Sequence, residues 1–181
     1  MRKLAVLLAM MASPALAAGL QIEVAGEANG TISIDLLEDV APNHVAQITA
    51  LAEQGAYNDV VFHRVIEGFM AQTGDVANGK AGADMRLAGT GGSDRPDLEA
   101  EFSDENFDTG VVGMARSQDP NSANSQFFIM FAPAPHLNGQ YTVVGRVTDG
   151  MDVVNAIKRG EGRNGAVIGA PDVMKIVTVT E

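Results

Sequence analysis

The chain has 181 residues and a formal net charge of −11, and hydrophobic residues make up 46% of it but aromatic residues only 5%. This length allows one domain with a substantial core, which must be built mostly from aliphatic side chains. The acidity argues against a nucleic-acid partner, because phosphate binding requires lysine and arginine clustered on one surface. Cysteine is absent, which excludes disulfides, thiolate nucleophiles and cysteine-bound metals.

The first residues have the pattern of a secretory signal peptide. Arg2 and Lys3 precede an apolar run, residues 4–12, that is too short to span a bilayer. Small residues follow around Ala17, as at a signal cleavage site. We therefore predict a signal peptide at residues 1–17, cut after Ala17 or Ala18, rather than a retained membrane anchor. The mature domain, 18–181, is expected to be soluble, without stable membrane insertion, and exported: periplasmic, or secreted if the host lacks an outer membrane.

Alternating apolar residues predict strands along most of the mature domain. The first two strands flank a turn at residues 27–30 and have the pattern of a hairpin. Residues 75–97 are predicted to be loop, in which the glycine-rich stretch 89–93 forms turns; it lacks the lysine-serine pair of a phosphate-binding Walker loop. The predicted strands are 20–24, 32–36, 58–66 with a continuation at 69–72, 110–115, 125–131, 141–147 and 173–179.

Two segments have helical spacing. Pro42 suits a first helical turn, and apolar residues follow at helical spacing until Gly55. A second, short helix is predicted around residues 153–157, with Lys158 and Arg159 in its last turn. About eight strands with hairpin-type connections and two helices predict a mainly β fold: a closed eight-stranded antiparallel barrel capped by two α-helices.

The three histidines lack the partners that hydrolytic or metal chemistry requires. None lies in a nucleophile motif, and no cluster of histidines and acids has metal-ligand spacing, so no metal and no cofactor is expected. His44, in the first helix, is expected to be a solvated surface residue. Strand alternation places His63 on the face opposite Arg64, so we expect a hydrogen-bonded core histidine rather than a general base.

Arg64 is the most informative residue, because it lies in an otherwise apolar run. A charge among hydrophobic side chains is costly unless it has a task. Farther along, Phe127 and Phe128 take opposite faces of one predicted strand, so only one of them can fill the core. The candidate surface comprises Arg64, Phe69, Met70, Gln72, Gln126, Phe128 and Leu137.

Seven stretches of the sequence form an ordered set of motifs: 62–66, 68–70 with Gln72, 89–92, 104–107, 113–115, 124–129 and 144–147. In this order along the chain, they resemble the successive signatures of the cyclophilins. The resemblance spans about residues 21–179 and implies an eight-stranded barrel capped by two helices, with peptidyl-prolyl cis-trans isomerase activity in a groove on the outer face. Rotation about an X–Pro bond breaks no covalent bond, so neither a nucleophile nor a base is needed.

The resemblance also implies roles for individual residues. Arg64 is expected to be catalytic, by hydrogen-bonding near the prolyl nitrogen as the C–N bond twists. Gln72 is expected to hold the substrate backbone and to position Arg64. The other substrate-binding residues are expected to be Phe69, Met70, Ala115, Arg116, Gln126, Phe128, His136, Leu137 and Tyr141.

The chain departs from the best-known cyclophilins at three groove positions. His136 stands where they have a tryptophan that contributes to cyclosporin binding, so we expect weak cyclosporin affinity. Tyr141 stands in place of a pocket histidine. Arg116 replaces a common asparagine; since the family uses mainly backbone groups there, activity should survive while substrate preference changes.

We therefore expect a monomeric prolyl isomerase that acts on proline-containing unfolded or partly folded exported proteins. The alternative is a proline-peptide-binding chaperone module with the same groove and little turnover, which the presence of Arg64 disfavours. A secreted β domain that binds sugar is a third hypothesis. The low aromatic content and the absence of tryptophan argue against it.

Overall fold

A computed structural model of the chain describes residues 18–180, so the predicted signal peptide lies outside the described residues. Within that range, nine antiparallel strands form one sheet and two α-helices pack against it, which confirms the mainly β fold. Neither helix is long and apolar enough to cross a membrane. The elements are β1 (Gly19–Ala25), β2 (Gly30–Leu36), α1 (Pro42–Glu53), β3 (Val60–Val61), β4 (Arg64–Ile66), β5 (Met70–Thr73), β6 (Val111–Met114), β7 (Phe127–Met130), β8 (Val143–Asp149), α2 (Met151–Ala156) and β9 (Val173–Thr180).

The curled sheet has both of its ends in one short segment of the chain. Its hydrogen-bonded order is β3-β9-β1-β2-β8-β6-β7-β5-β4, and only Phe62 and His63 separate the end strands β3 and β4. The predicted strand 58–66 is split there because Phe62 donates its N–H to Asp172 and His63 accepts from Val167, both outside any ladder. The predicted eight-stranded closed barrel is therefore a nine-stranded sheet whose ends are joined by the chain itself.

Strand β7 is apolar on both faces because a separate hydrophobic cluster lies on each side of it. Phe127 and Ile129 belong to the main cluster, which α1 also joins. Phe128 and Met130 belong to a second cluster on the other face of the sheet. The second phenylalanine of the pair thus supports a smaller core, whose buried members are Met70, Phe107, Val111, Phe128, Met130, Ala134, Leu137 and Val143.

Helix α2 begins and ends earlier in the chain than the sequence predicts. It ends at Ala156, because Ile157 adopts an extended backbone conformation. Lys158 and Arg159 therefore lie beyond the helix and not in its last turn. The Lys158 backbone N–H instead donates to the buried carboxylate of Asp172, at 2.7 Å.

His44 is fully buried, so the prediction of a solvated surface histidine is wrong. Its Nδ1 lies 2.6 Å from an oxygen of Glu101, and the same carboxylate accepts the backbone N–H groups of Asn43 and His44. Burial opposes ionisation of Glu101, but the hydrogen bonds from His44 and Asn43 outweigh it and lower the pKa of this carboxyl. A distant loop thus satisfies the free donors at the start of α1.

Candidate active site

Sheet register places Arg64 beside the other predicted site residues. On one face of the sheet, Arg64 of β4 lies opposite Gln72 of β5, which lies opposite Phe128 of β7. Phe128 in turn lies opposite Gly113 of β6. Residues far apart in sequence therefore form one row across four strands.

The Arg64 guanidinium is held by two hydrogen bonds. Its Nη1 donates to Gln72 Oε1 at 3.1 Å, and its Nε donates to the backbone carbonyl of Asn164 at 2.9 Å. Its Nη2 makes no hydrogen bond with any residue in the range 18–180. Partial burial lowers the pKa of Arg64, while nearby Tyr141 opposes that shift; an arginine remains charged in either case.

The chain of hydrogen bonds continues past Gln72 to the glycine-rich loop. Gln72 Nε2 donates to Gln126 Oε1 at 3.0 Å. Gln126 Nε2 donates to the carbonyls of Gly89 and Gly91, at 3.1 and 2.7 Å. The side-chain amides are thus fixed in one orientation, with an oxygen facing Arg64.

A cavity of about 170 Å³ opens beside Arg64. We call it the apolar cavity, because Phe69, Met70, Phe128 and Leu137 contribute large hydrophobic side chains to its lining. Its floor is formed by the second hydrophobic cluster, and Met70, Phe128 and Leu137 are all buried. It brings together nine of the eleven predicted site residues. The lining residues are Arg64, Phe69, Met70, Gln72, Ala115, Arg116, Phe128, Leu137 and Tyr141.

The aromatic wall of the apolar cavity depends on a glycine. The rings of Phe107 and Phe128 stack at 5.8 Å, and Tyr141 meets Phe128 edge-on at 5.9 Å. A Cβ on Gly113 would lie 2.5 Å from Phe107 and 2.6 Å from Phe128, so only glycine allows this stack.

Arg116 contributes its side chain and not only its backbone. Its Cζ lies 4.3 Å from the centre of the Tyr141 ring, within cation–π range. Its Nη2 donates to the carbonyl of Gln140 at 2.8 Å, and its Nη1 to that of Ser117 at 2.9 Å. The guanidinium therefore bridges two loops and supports the tyrosine that walls the cavity.

The remaining two predicted site residues lie outside this lining. Gln126 lines an adjoining polar cavity of about 240 Å³ that shares Gln72, Ala115 and Arg116 with the apolar cavity. His136 is exposed and stacks on Phe69, with ring centres 5.9 Å apart. The polar cavity is lined by Gln72, Gly89, Thr90, Gly91, Ala115, Arg116, Ser117, Ser122, Asn124, Ser125 and Gln126.

The glycine-rich stretch is held in place by Asp75. This fully buried carboxylate accepts the backbone N–H groups of Gly89 and Gly91, at 2.8 and 2.9 Å, and those of Ala77 and Asn78. Since Asp75 already occupies these donors, the stretch does not form a phosphate cradle. It is irregular loop, as predicted, with a turn at Gly89 and a bend at Thr90.

A third cavity, of about 190 Å³, also borders Arg64, and we call it the arginine cavity. It includes His63, which is 9% exposed. Burial is as predicted, but neither ring nitrogen finds a hydrogen-bond partner within residues 18–180. Burial lowers the pKa of His63, and the Asp75 charge partly opposes this. The cavity is lined by His63, Arg64, Gln72, Ala88, Gly89, Thr90, Arg163, Asn164 and Ala166.

Sequence reasoning missed the contribution of Asn164. Its carbonyl fixes Arg64, and its own backbone is left-handed, with φ 58°. The Asn164-Gly165 pair is a turn signal, so the turn itself was open to prediction. Its position beside Arg64 follows from an isolated bridge between Arg64 and Ala166, which pairs residues from opposite halves of the chain.

These contacts describe a binding site lined by two arginines, Arg64 and Arg116, with no nucleophile aligned with a base among residues 18–180. Within the part of the chain that the structure describes, no group of three or more histidines, aspartates and glutamates could hold a metal ion. The arrangement can enclose an apolar ring in the apolar cavity and present the free Nη2 of Arg64 to a polar group beside it.

Comparisons with known proteins agree with this geometry. The model of the family described as "Cyclophilin type peptidyl-prolyl cis-trans isomerase/CLD" matches residues 20–181. A "Probable peptidyl-prolyl cis-trans isomerase" of Brucella suis is 61% identical over 150 residues, covering 81% of this chain and 76% of its own.

The fold is also similar to solved structures of cyclophilins. Cyclophilin AquaCyp293 from Hirschia baltica superposes with a TM-score of 0.72 at 27% identity, covering 88% of this chain and 73% of its own. A cyclophilin-type isomerase of Cryptosporidium parvum, crystallised in the presence of the dipeptide Ala-Pro, superposes with a TM-score of 0.75 at 25% identity, covering 90% of this chain and 99% of its own.

Proposed function

We propose, since this chain belongs to the cyclophilin-type peptidyl-prolyl cis-trans isomerase family, that its isomerase activity assists the folding of exported proteins in the periplasm. The family and the named relatives establish the activity. The signal-peptide pattern at residues 1–17 supports export, and unfolded or partly folded proteins that contain proline are the proposed clients.

One observation carries the assignment of the catalytic residue: the Arg64 guanidinium is anchored at Nε and Nη1 and has Nη2 free beside the apolar cavity. The barrier to rotation about a peptide bond is about 18–20 kcal/mol, because of amide resonance. A donor near the prolyl nitrogen stabilises that nitrogen as it becomes pyramidal in the twisted state. The hydrogen bond strengthens as the bond rotates, so it lowers the barrier rather than only tightening binding.

The apolar cavity would hold the proline ring while the bond rotates. Phe69, Met70, Phe128 and Leu137 provide apolar contacts, and their support by the second hydrophobic cluster keeps them in place. Gln72 would bind the client backbone while it orients Arg64. The Ala-Pro dipeptide named for the Cryptosporidium parvum structure supports a proline-containing peptide as the occupant.

An isomerisation assay on the mature domain, residues 18–181, tests this mechanism. The wild type should accelerate cis-trans exchange of an Ala-Pro peptide over buffer, and Arg64→Ala should lose roughly a hundredfold in kcat/KM, as when an oxyanion-hole donor is removed. Arg64→Lys keeps the charge but not the forked donor geometry, so it should recover only part. Equal activity of Arg64→Ala and wild type would exclude the role of Arg64. Binding without any acceleration by the wild type would favour the chaperone module.

Fractionation of cells that express the full chain tests export. The mature protein should appear in the periplasmic fraction with Ala18 or Gly19 as its first residue, and a variant that lacks residues 2–17 should stay in the cytoplasm. Recovery of the full-length chain in the cytoplasm would contradict the proposal.

A further inference from the structure

Only arginine supplies charge to the three cavities around Gln72. Their linings include Arg64, Arg116 and Arg163, and no aspartate or glutamate. The mature domain, without Arg2 and Lys3, has 10 lysine and arginine residues against 23 acids. The side chains that line these cavities are therefore positively charged, although the buried Asp75 carboxylate lies behind Gly89 and Gly91. Exposed arginines on a protein that is otherwise strongly acidic attract anionic groups.

Arg163 is the cation in the arginine cavity that is not already engaged. Arg64 uses Nε and Nη1 in hydrogen bonds, and Arg116 is bound to two carbonyls. The exposed Arg163 guanidinium makes no hydrogen bond or ion pair with any residue described between 18 and 180, although Glu161 is close in sequence. It can therefore pair with an acid from another molecule without breaking an existing contact.

His63 forms a buried part of the wall of the same cavity. The ring is buried, and neither nitrogen has a partner among the residues described. A Cβ on Gly89 would lie 2.9 Å from the ring, and Gly89 has a φ of +90°, so the loop backbone fits closely against it. Both ring nitrogens are closed off from solvent, so His63 shapes the cavity and Arg163 supplies the free donors.

We propose that the arginine cavity is a subsite for a carboxylate side chain of the client, a glutamate or aspartate close in sequence to the isomerised proline. This subsite rests on the proposed function, because Arg64 and Gln72 line both this cavity and the apolar cavity that would hold the proline. The carboxylate pairs with the exposed Arg163 guanidinium. The enzyme thereby prefers prolines in acidic segments.

A peptide series tests the subsite. Glutamate is placed in turn at each position around an Ala-Pro bond, and each peptide is compared with its glutamine counterpart at physiological ionic strength. At one position, glutamate should raise kcat/KM by about two- to fivefold, the range expected for an exposed ion pair. The gain should come through KM, because the pair is present before and during rotation, and it should shrink at high salt.

Matched variants locate the effect. Arg163→Gln should reduce the glutamate-to-glutamine ratio to about one. Arg86→Gln removes the same charge from an exposed arginine outside all three cavities and should keep the wild-type ratio.

The outcomes separate this inference from the proposed function. If the wild type isomerises the glutamine peptides but no position favours glutamate, the subsite is overturned and the isomerase stands. The subsite is also overturned if Arg163→Gln and Arg86→Gln keep the same ratio. If no peptide is isomerised by the wild type, both proposals fail.

Discussion

Gln72 accepts a hydrogen bond from the Arg64 guanidinium at 3.1 Å, and the two residues are direct cross-strand partners in β4 and β5. Sheet register therefore places Arg64 beside Gln72, and the Asn164 carbonyl holds the other side of the guanidinium. Gln126 fixes the amide of Gln72 from the other side. Such support from a second layer of residues is what keeps a reactive donor within a fraction of an ångström of its working position.

Gln72→Ala should lower kcat by roughly tenfold, the effect of about 1.4 kcal/mol at the transition state. The loss should be smaller than for Arg64→Ala, because the Asn164 carbonyl still holds Nε. Steady-state kinetics on an Ala-Pro peptide measure it, with the exposed Gln140→Ala as a control. A change in KM alone would show that Gln72 binds the client without positioning Arg64.

Gly113→Ala should destabilise the domain by about 1–3 kcal/mol, as expected when a packed core is overfilled. The added methyl overlaps both Phe107 and Phe128, so the wall of the apolar cavity must move and activity should fall with stability. Urea unfolding gives the free energy. The double variant Phe107→Leu with Gly113→Ala removes the overlap with Phe107 but leaves that with Phe128, so it should recover part of the loss. No recovery would mean that the overlap with Phe107 is not a main cause.

Arg116→Asn should loosen Tyr141, because it removes the cation–π contact and the bond to Gln140. The expected cost in stability is about 0.5–1 kcal/mol. Tyrosine fluorescence can follow the change, since the chain has no tryptophan and only two tyrosines, of which Tyr57 is fully buried. Acrylamide quenching should increase in Arg116→Asn and not in Arg86→Asn. Unchanged quenching would show that Arg116 does not hold the ring.

Acidification should destabilise the protein partly through His63. Its folded-state pKa lies below the ordinary value of about 6.5, so the unfolded chain binds a proton more readily than the folded one. The stability contributed by the neutral His63 ring is fully present above a pH of about 6.5. It is lost as the pH falls from there toward the lowered folded-state pKa, by at most about 1.4 kcal/mol per pH unit.

Urea unfolding at pH 7.5 and 5.5 measures this loss. His63→Gln, which cannot take up the proton, should lose less stability between the two conditions than the wild type. Equal losses would assign the acid sensitivity to other groups.

Cyclosporin should bind weakly, because His136 stands at the position where better-known cyclophilins have a tryptophan. His136→Trp should restore an indole donor and apolar area, and should raise affinity by about tenfold, the value of one good hydrogen bond. Inhibition of isomerisation by titrated cyclosporin measures this. Nanomolar inhibition of the wild type would contradict the expectation.

Features that depend on short-range periodicity, such as the two faces of a strand, are predicted well from the sequence. Alternation along one strand was enough to separate Phe127 from Phe128, and motif order was enough to group Arg64 with Gln72. His44 was placed wrongly because its partner, Glu101, lies in a loop with no periodic pattern. The Asn164 contact was missed for the same reason. Both depend on long-range pairing, which no local pattern records.

The segment that joins the two ends of the sheet also carries the active-site arginine. Val60 pairs with Met174 of the last strand, and a few residues later Arg64 pairs with Gln72. Contacts between such distant parts of a chain form late, because loop closure must come first. Until the turn that contains Asn164 has docked, Arg64 lacks the carbonyl that holds its Nε. Full activity is therefore expected only after segments from both halves of the chain have come together.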